Sequence, residues 1–370
     1  MIDPGTDARF MAAALELGRR GLGLCAPNPA VGALLVKDGA VLARGWTMPG
    51  GRPHAETEAL RAAGDVARGA TLYVSLEPCS HHGRTPPCTD AVIAAGVGRV
   101  VYAIDDPDPR AHGRGAQILA GAGIEVTRGL LAGEARRSHL GHFLRITQGR
   151  PMVTLKLALT ADSYAAGPLG DPRLMVTGKP AAGLVHVMRA MHDAVIAGIG
   201  TILADDPLLS VRLPGLEDRK PLRVVLDSDL RLPPLARLAG TAAKIPVLAI
   251  AGEGASTKRA ARLREAGVEV VHVRRDRTGR VDLTEALGLL GKRGLTRVFC
   301  EGGPSVAAAL TGQGLADEVI IFRAPDPLGR KGVFGLDSTA AALLDDPEHY
   351  CIVETRMVGA DRLTRHERVA

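Results

Sequence analysis

"RPHAETEALRAAG" occupies residues 52–64 and "SLEPCSHHGRTPPC" residues 75–88, and together these two stretches decide the fold of the N-terminal half. The first sets His54, Glu56 and Glu58 behind a proline at the head of an Ala- and Leu-rich run, where a helix begins. Acids in a first turn complement the helix dipole. The second stretch leaves a strand at a proline, presents Cys79, and returns with Cys88 just before "TDAVI", another helix start. His54, Cys79 and Cys88 at loop-to-helix junctions make a tetrahedral zinc site with one position free, and helix N-termini favour the thiolate form of cysteine. Glu56 lies two residues beyond His54, which turns it to a different side of the helix; its expected part is to move protons at the open position and not to bind the metal. The alternative is a closed, structural zinc site with His81 or His82 as fourth ligand.

Working outward, Thr6 followed by "DARFMAAALELGRRG" reads as a capped helix with Phe10, Ala13, Ala14 and Leu17 on one face. "VGALLVKDGAVLARGW" reads as two strands around Asp38-Gly39, a strong hairpin signal. After the opening helix come a strand "ATLYVSLEP", a helix "TDAVIAAGV", a strand "RVVYAI", a helix near 114–122, a strand "IEVT" and a helix over about 133–147. A hairpin followed by alternating elements gives a mixed sheet with helices on its faces. Gly149 and Pro151 interrupt the pattern before a new apolar strand, so the expected domains are 1–148 and 149–370. In the second, "HDAVIAG", "LRVVLDS", "IPVLAI", "VEVVHV", "RVFCEGG" and "DEVIIF" alternate with helical stretches, which describes another α/β sheet.

At 370 residues the chain is long enough for two domains, each with its own core. Aromatic residues make up only 3%, which disfavours a stacking platform for single-stranded nucleic acid. The formal charge of +6 is dispersed along the chain, which suits small anionic substrates better than a polyanion. Five cysteines, an odd number, argue against a disulfide framework and for a reducing compartment. "MIDPGTDARF" has neither a basic nor an apolar leader segment and no apolar run reaches membrane-span length, so the expectation is a cytoplasmic protein.

The pairing of Glu56 with this ligand set follows the logic of the H-x-E…P-C-x-x-C signature of zinc nucleobase deaminases, with eight residues between the cysteines in place of two. In that superfamily a loop such as "APNPAVGALLV" carries an Asn that binds substrate, which makes Asn28 the candidate. "PNPAVGALLV", "PHAETEAL", "SLEPCSHHGRTPPC" and "VVYAIDDPDPRAHGRG", in that order, resemble the deaminase half of the bifunctional deaminase-reductases of riboflavin biosynthesis. The resemblance implies a cytidine-deaminase-like domain in which Zn2+ is held by His54, Cys79 and Cys88, Glu56 shuttles protons and Asn28 lies in the substrate pocket. The implied reaction is removal of the 2-amino group of a diaminopyrimidinone ribosyl phosphate, whose phosphate His81, His82 or Arg84 can meet. The family usually shows Asn where this chain has Asp108.

"RVFCEGGPSVAAAL" is a strand, a glycine pair and a helix start, an arrangement that presents free amides to an anion but lacks the G-x-G-x-x-G fingerprint. With "VTLKLALTAD", "IAGIGTILADDPLLSVR" and "RVVLDS" it follows the order of the same family's reductase half, which is similar in fold to dihydrofolate reductase. The resemblance implies NADPH contacts from Thr201, Asp205, Ser228, Gly302, Gly303, Pro304 and Ser305. It places Lys156, Arg189, Arg212 and Glu301 toward the sugar phosphate. Thr160-Ala161-Asp162-Ser163 stands where the family has Ser-Leu-Asp-Gly, and Met175 lies near the position of an expected Trp. The expectation is a homo-oligomeric enzyme acting on a small phosphorylated pyrimidine, with no nucleic-acid or membrane partner. The competing readings are a deaminase with a degenerate reductase domain, and an RNA-binding protein with a structural zinc.

Overall fold

The computed structural model describes residues 4–168, 170–171 and 174–369. By contacts the chain divides into two compact units, Met1–Arg150 with Gly294–Thr296, and Pro151–Arg293 with Arg297–Ala370. The first runs α1 (Pro4–Gly18), β1 (Gly32–Lys37), β2 (Ala40–Trp46), α2 (Ala55–Ala63), β3 (Thr71–Val74), α3 (Cys88–Ala94), β4 (Arg99–Tyr102), α4 (Arg114–Gly121), β5 (Glu125–Arg128) and α5 (Ala132–Gln148). Its sheet has the order β2-β1-β3-β4-β5, with β1 antiparallel to both neighbours and β3, β4 and β5 parallel. The hairpin turns at Asp38 (φ 52°) and Gly39 (φ 76°), two left-handed residues whose twist matches that of the strands they join.

Strand alternation sorts the core into two layers. Leu35, Leu72, Val74 and Val100 face one way, into a cluster with Ala59, Leu60, Val92 and Leu119 of α2, α3 and α4. Leu34, Tyr73 and Val101 face the other way and pack with Phe10, Met11 and Ala14 of α1 and Ala135 of α5. Two details of the first helix differ from expectation. Thr6 lies inside α1, which begins at Pro4, so it is not the cap. Ala13 is exposed and the buried face is Phe10, Met11, Ala14 and Leu15, because Asp7 turns inward to Arg99 (2.8 Å) and Tyr73 and so fixes the helix rotation.

The second unit runs β6 (Met152–Leu159), β7 (Tyr164–Ala166), α6 (Lys179–Ala190), β8 (Ala194–Gly198), α7 (Ile199–Asp205), β9 (Leu222–Leu226), α8 (Arg237–Gly240), β10 (Val247–Gly252), α9 (Thr257–Glu265), β11 (Glu269–Val273), α10 (Leu283–Lys292), β12 (Arg297–Cys300), α11 (Pro304–Gly312), β13 (Glu318–Arg323), β14 (Val333–Phe334), α12 (Ser338–Asp345), β15 (Tyr350–Val358) and β16 (Asp361–Arg368). The large sheet has the order β11-β10-β9-β8-β12-β6-β13-β16-β15. It is parallel from β11 to β13 and closes with an antiparallel hairpin, β15–β16, that the sequence reading had not included. The chain steps outward from β6 through β8 to β11 and then returns, inserting β12 between β8 and β6. The C-terminal ends of β8, β12 and β6 therefore border the point where strand order reverses, the place where open α/β sheets bind ligands.

Gly45 of β2 shows how tightly the site-bearing helix is seated. A Cβ there would come within 2.1 Å of the Ala55 carbonyl oxygen and 2.7 Å of the Ala59 nitrogen, both backbone atoms of α2. The Gly45→Ala variant is expected to lose about 1–3 kcal/mol of stability, measured by urea denaturation, and to bind zinc more weakly because α2 carries His54 at its cap. An unchanged midpoint would show that α2 is free to shift.

Candidate active site

His54 caps α2 and Cys88 opens α3, while Cys79 lies in the loop after β3. His54 Nδ1 is 3.3 Å from Cys88 Sγ and 3.6 Å from Cys79 Sγ. These three donors lie within 4.8 Å of one another, and they are the one such His/Cys/Asp/Glu group among the described residues. A tetrahedral ion with zinc–sulfur and zinc–nitrogen bonds of about 2.3 and 2.0 Å needs nitrogen-to-sulfur edges of about 3.5 Å. The donor set and its spacing therefore fit zinc. His81 and His82 are not part of the group, which leaves a fourth direction without a protein ligand.

The local electrostatics suit a metal. Hydrogen bonding with Cys88, against the opposing effect of burial, draws the Cys79 thiol down to about 4, and the Cys88 backbone N–H donates to its sulfur at 3.3 Å. Cys88 is held well above the ordinary thiol range, first by its hydrogen bond to Cys79 and then by burial. The hydrogen bond with Cys79 raises His54. Glu56, only 4% exposed, is raised by burial despite the pull of His54, and its carboxyl hydrogen-bonds to Cys88. A carboxyl in this setting holds a proton more readily than one in water does, which is what a proton carrier needs.

His54, Glu56 and Cys79 open on a cavity of about 400 Å³ that is also lined by Asn28, Arg52, His81 and Arg84. The Asn28 side-chain amide donates to the Gly51 carbonyl at 2.7 Å and lies 3.2 Å from His54 Nε2. One residue that the sequence reading passed over holds the wall together. Glu77, inside the quoted "SLEPC", is buried and accepts from the backbone N–H groups of Gly113 (3.0 Å), Gly115 (3.0 Å) and Ala116 (3.3 Å) at the start of α4. Its signal was in plain view, an acid two residues before a ligand, but its partners lie more than thirty residues away.

In the second unit the expected residues fall into separate groups. Gly302 and Gly303 join β12 to α11, and no side chain caps the first amides of that helix. A Cβ on Gly303 would stand 3.2 Å from Thr201 Oγ1, and Asp205 follows Thr201 by one turn on the same face of α7. Pro304 and Ser305 form the first turn of α11. An uncapped helix start opened by glycines, with a hydroxyl beside it at the sheet's switch point, fits the diphosphate of a dinucleotide. Ser228 follows β9, and its hydroxyl accepts from the Val281 amide at 3.0 Å.

Arg189 and Glu301, both expected to face a sugar phosphate, are engaged with each other. Arg189 donates through Nη2 (2.9 Å) and Nε (2.5 Å) to the two Glu301 oxygens and through Nη1 to the Ser210 carbonyl at 2.8 Å. Lys156 lies near enough to Glu301 to lower its pKa, and Arg212 and Arg189 both bear on His186, which burial has already pushed down. In the turn after β6, Ser163 adopts φ 70°, a left-handed conformation, where the resemblance expects glycine. Arg323 Nη1 supports it, donating to Ser163 Oγ at 2.9 Å and to the Thr160 carbonyl at 3.3 Å. Asp162 accepts from Thr160 Oγ1 (2.6 Å) and from the Leu328 amide (2.8 Å). Met175 is 70% exposed.

With the geometry established, similarity to known proteins decides the family. Residues 4–104 match the cytidine and deoxycytidylate deaminase zinc-binding region, and residues 151–354 match the RibD C-terminal domain. The chain is 38% identical over 368 residues to the riboflavin biosynthesis protein RibD of Escherichia coli (strain K12), an alignment covering 96% of this chain and 97% of that protein. The chain belongs to the RibD family. RibD of Aquifex aeolicus (strain VF5) is 39% identical over 323 residues, 87% of this chain and 88% of that one. Among solved structures, Acinetobacter baumannii RibD superposes with a TM-score of 0.86 at 34% identity over 100% of both chains. A diaminohydroxyphosphoribosylaminopyrimidine deaminase/5-amino-6-(5-phosphoribosylamino)uracil reductase from Thermotoga maritima superposes with a TM-score of 0.84 at 33% identity over 99% of each. As a RibD this chain is a bifunctional deaminase and reductase of riboflavin biosynthesis that uses zinc and NADPH. Because the match spans both halves, neither a chain with a degenerate reductase domain nor an RNA-binding protein is favoured.

The Arg189–Glu301 pair yields a test of the second unit. Burial pushes the Glu301 carboxyl up, but the Arg189 charge and hydrogen bonds outweigh it and hold it below the usual range. A depressed carboxylate contributes stability that is intact above its unfolded value of about 4.5 and is lost as pH falls through the lower folded value. Glu301→Ala leaves a buried guanidinium unpaired and is expected to cost about 3–5 kcal/mol at neutral pH. In urea titrations the gap from wild type should shrink below pH 4.5, and a gap independent of pH would show that the pair is not ionic.

Proposed function

We propose that the first unit deaminates 2,5-diamino-6-(5-phosphoribosylamino)pyrimidin-4-one and that the second reduces the ribosyl group of the product to ribityl. The observation that carries the reading is the buried Glu56 carboxyl on the same cavity as His54 and Cys79, two members of the donor group that Cys88 completes. In this account those three residues hold zinc, which when bound lowers the pKa of a water toward neutrality. Asn28 orients the pyrimidine beside His54, and Arg84 with His81 meets the phosphate. The net change replaces the exocyclic C–N bond by a C=O bond, so of the two protons of the consumed water one ends on the departing nitrogen and the other on the adjacent ring nitrogen. Glu56 is the carrier: its carboxyl takes a proton on the water side and delivers it to the amine, which leaves as ammonia.

In the second unit the Gly302–Ser305 turn, Thr201, Asp205 and Ser228 bind NADPH, and the cofactor supplies a hydride to C1 of the sugar. Lys156 and Arg212 bind the sugar phosphate and polarise the ring oxygen, while Arg189 fixes Glu301. The domain limits go with this reading as 1–148 for the deaminase and 149–370 for the reductase.

The protein acts in the cytoplasm on a small molecule, without nucleic acid. Its five cysteines are free, and among the described residues no helix is long and apolar enough to cross a membrane. A homo-oligomer belongs to the same proposal. The edge strand β15 exposes Ile352 and Met357, each 61% accessible, together with Val353, and an apolar edge of this kind invites a second copy.

A coupled assay with the diaminopyrimidinone ribosyl phosphate and NADPH tests the whole sequence. Ammonia release followed by loss of NADPH absorbance is expected, and ammonia alone would remove the reductase step. Glu56→Gln should keep zinc, measured by metal analysis, and slow deamination by about 10²- to 10⁴-fold. Cys88→Ser should lose both metal and activity. Undiminished deamination in the Gln variant would take the proton-carrying part away from Glu56.

A further inference from the structure

The wall of the deaminase cavity has a charge imbalance that the metal centre does not explain. Four acids line it, and three besides Glu56 are accounted for. Glu77 is taken up by backbone amides, Asp106 by His142 Nε2 (3.1 Å) and the Asp108 amide (2.9 Å), and Asp108 by Arg110. The Asp108–Arg110 contact runs through Arg110 Nε (3.0 Å) and the Arg110 amide (2.9 Å), and it draws the Asp108 carboxyl down to about 2. Asp108, the departure from the family's usual Asn, is thus a neutralised anion.

Arg145 is left over. It lies on α5 three residues after His142, on the face of the helix that lines the cavity. It is half-buried, its Nε is buried without a hydrogen-bond partner, and it feels the charges of Asp108, Arg110 and Asp106 without an ion pair of its own. A partly desolvated guanidinium without a counter-charge is costly, and it is completed when an anion enters the cavity.

We propose that Arg145 is a substrate ligand of the deaminase cavity, its guanidinium receiving the phosphate of the pyrimidine ribosyl phosphate, while the Asp108–Arg110 pair keeps the local acid from repelling the dianion. This rests on the deaminase reading given above and adds an inner phosphate ligand to the loop residue Arg84. A planar fork of N–H donors suits phosphate, and one charge-assisted contact of this kind accounts for about 10- to 100-fold in binding.

The test compares zinc-loaded wild type with Arg145→Met and Arg145→Lys, on the phosphorylated substrate and on the same nucleoside without its phosphate. For the phosphorylated substrate Arg145→Met should raise KM about 10- to 100-fold with kcat changed only about threefold or less, and Arg145→Lys should recover part of the loss. For the nucleoside, whose wild-type KM should already exceed that of the phosphorylated substrate, Arg145→Met should add no further increase. An equal rise on both substrates would make Arg145 structural and overturn the proposal, as would an unchanged KM on the phosphorylated one. If Arg145→Met fails to fold or to hold zinc, the Lys variant carries the comparison by the same criterion. A wild type that deaminates neither substrate would overturn the deaminase reading itself, a result distinguishable from the failure of Arg145 alone.

Discussion

The deaminase half depends on one convergence, the His54 imidazole meeting the Cys79 and Cys88 sulfurs at 3.6 and 3.3 Å. Three segments must arrive together for that contact to exist. α2 reaches its place because β2 offers a glycine at position 45, where any Cβ would collide with the helix backbone. α3 begins at Cys88 and points its first amide at the Cys79 sulfur. Packing then sets the charges: the hydrogen bond with Cys88, working against burial, favours a thiolate at Cys79, and burial favours a proton-retaining carboxyl at Glu56. Function at this centre is a consequence of how closely a sheet and two helix starts fit.

The second unit uses another device at the corresponding level. Its sheet reverses strand order around β12, and the residue that leaves β12, Glu301, is tied to Arg189 of α6 by a buried two-point ion pair. That pair links the strand which leads into the glycine turn to the helix beside it, and so fixes the turn where a dinucleotide diphosphate fits. The departures from family pattern in the next turn are absorbed locally. Ser163 holds a left-handed conformation because Arg323 hydrogen-bonds both to its hydroxyl and to a neighbouring carbonyl.

What the sequence made legible was local. Asp38-Gly39 announced its hairpin, and soft ligands at helix starts pointed to three donors that the fold brings within 4.8 Å of one another, because residue type and position within one turn carry that information. The alternation of strands and helices gave both α/β sheets for the same reason. What stayed hidden depends on partners distant in the chain. Arg189 and Glu301 are 112 residues apart, and no spacing rule pairs them. Glu77 reads as part of a cysteine motif until α4 is folded against it. The β15–β16 hairpin escaped because β15 is an edge strand, exposed along most of its length and interrupted by an irregular register between Ile352 and Glu354, so it lacks clean two-residue alternation. Thr6 has the chemistry of a cap, yet the inward pull of Asp7 on Arg99 sets where α1 lies.

The claim on which the account turns is that three protein ligands hold the zinc and leave one direction to the substrate side of the cavity. X-ray absorption spectroscopy of the zinc-loaded protein measures this directly. The account predicts two sulfurs, one imidazole and a single light atom that belongs to no side chain. A second imidazole, from His81 or His82, would close the site and contradict it.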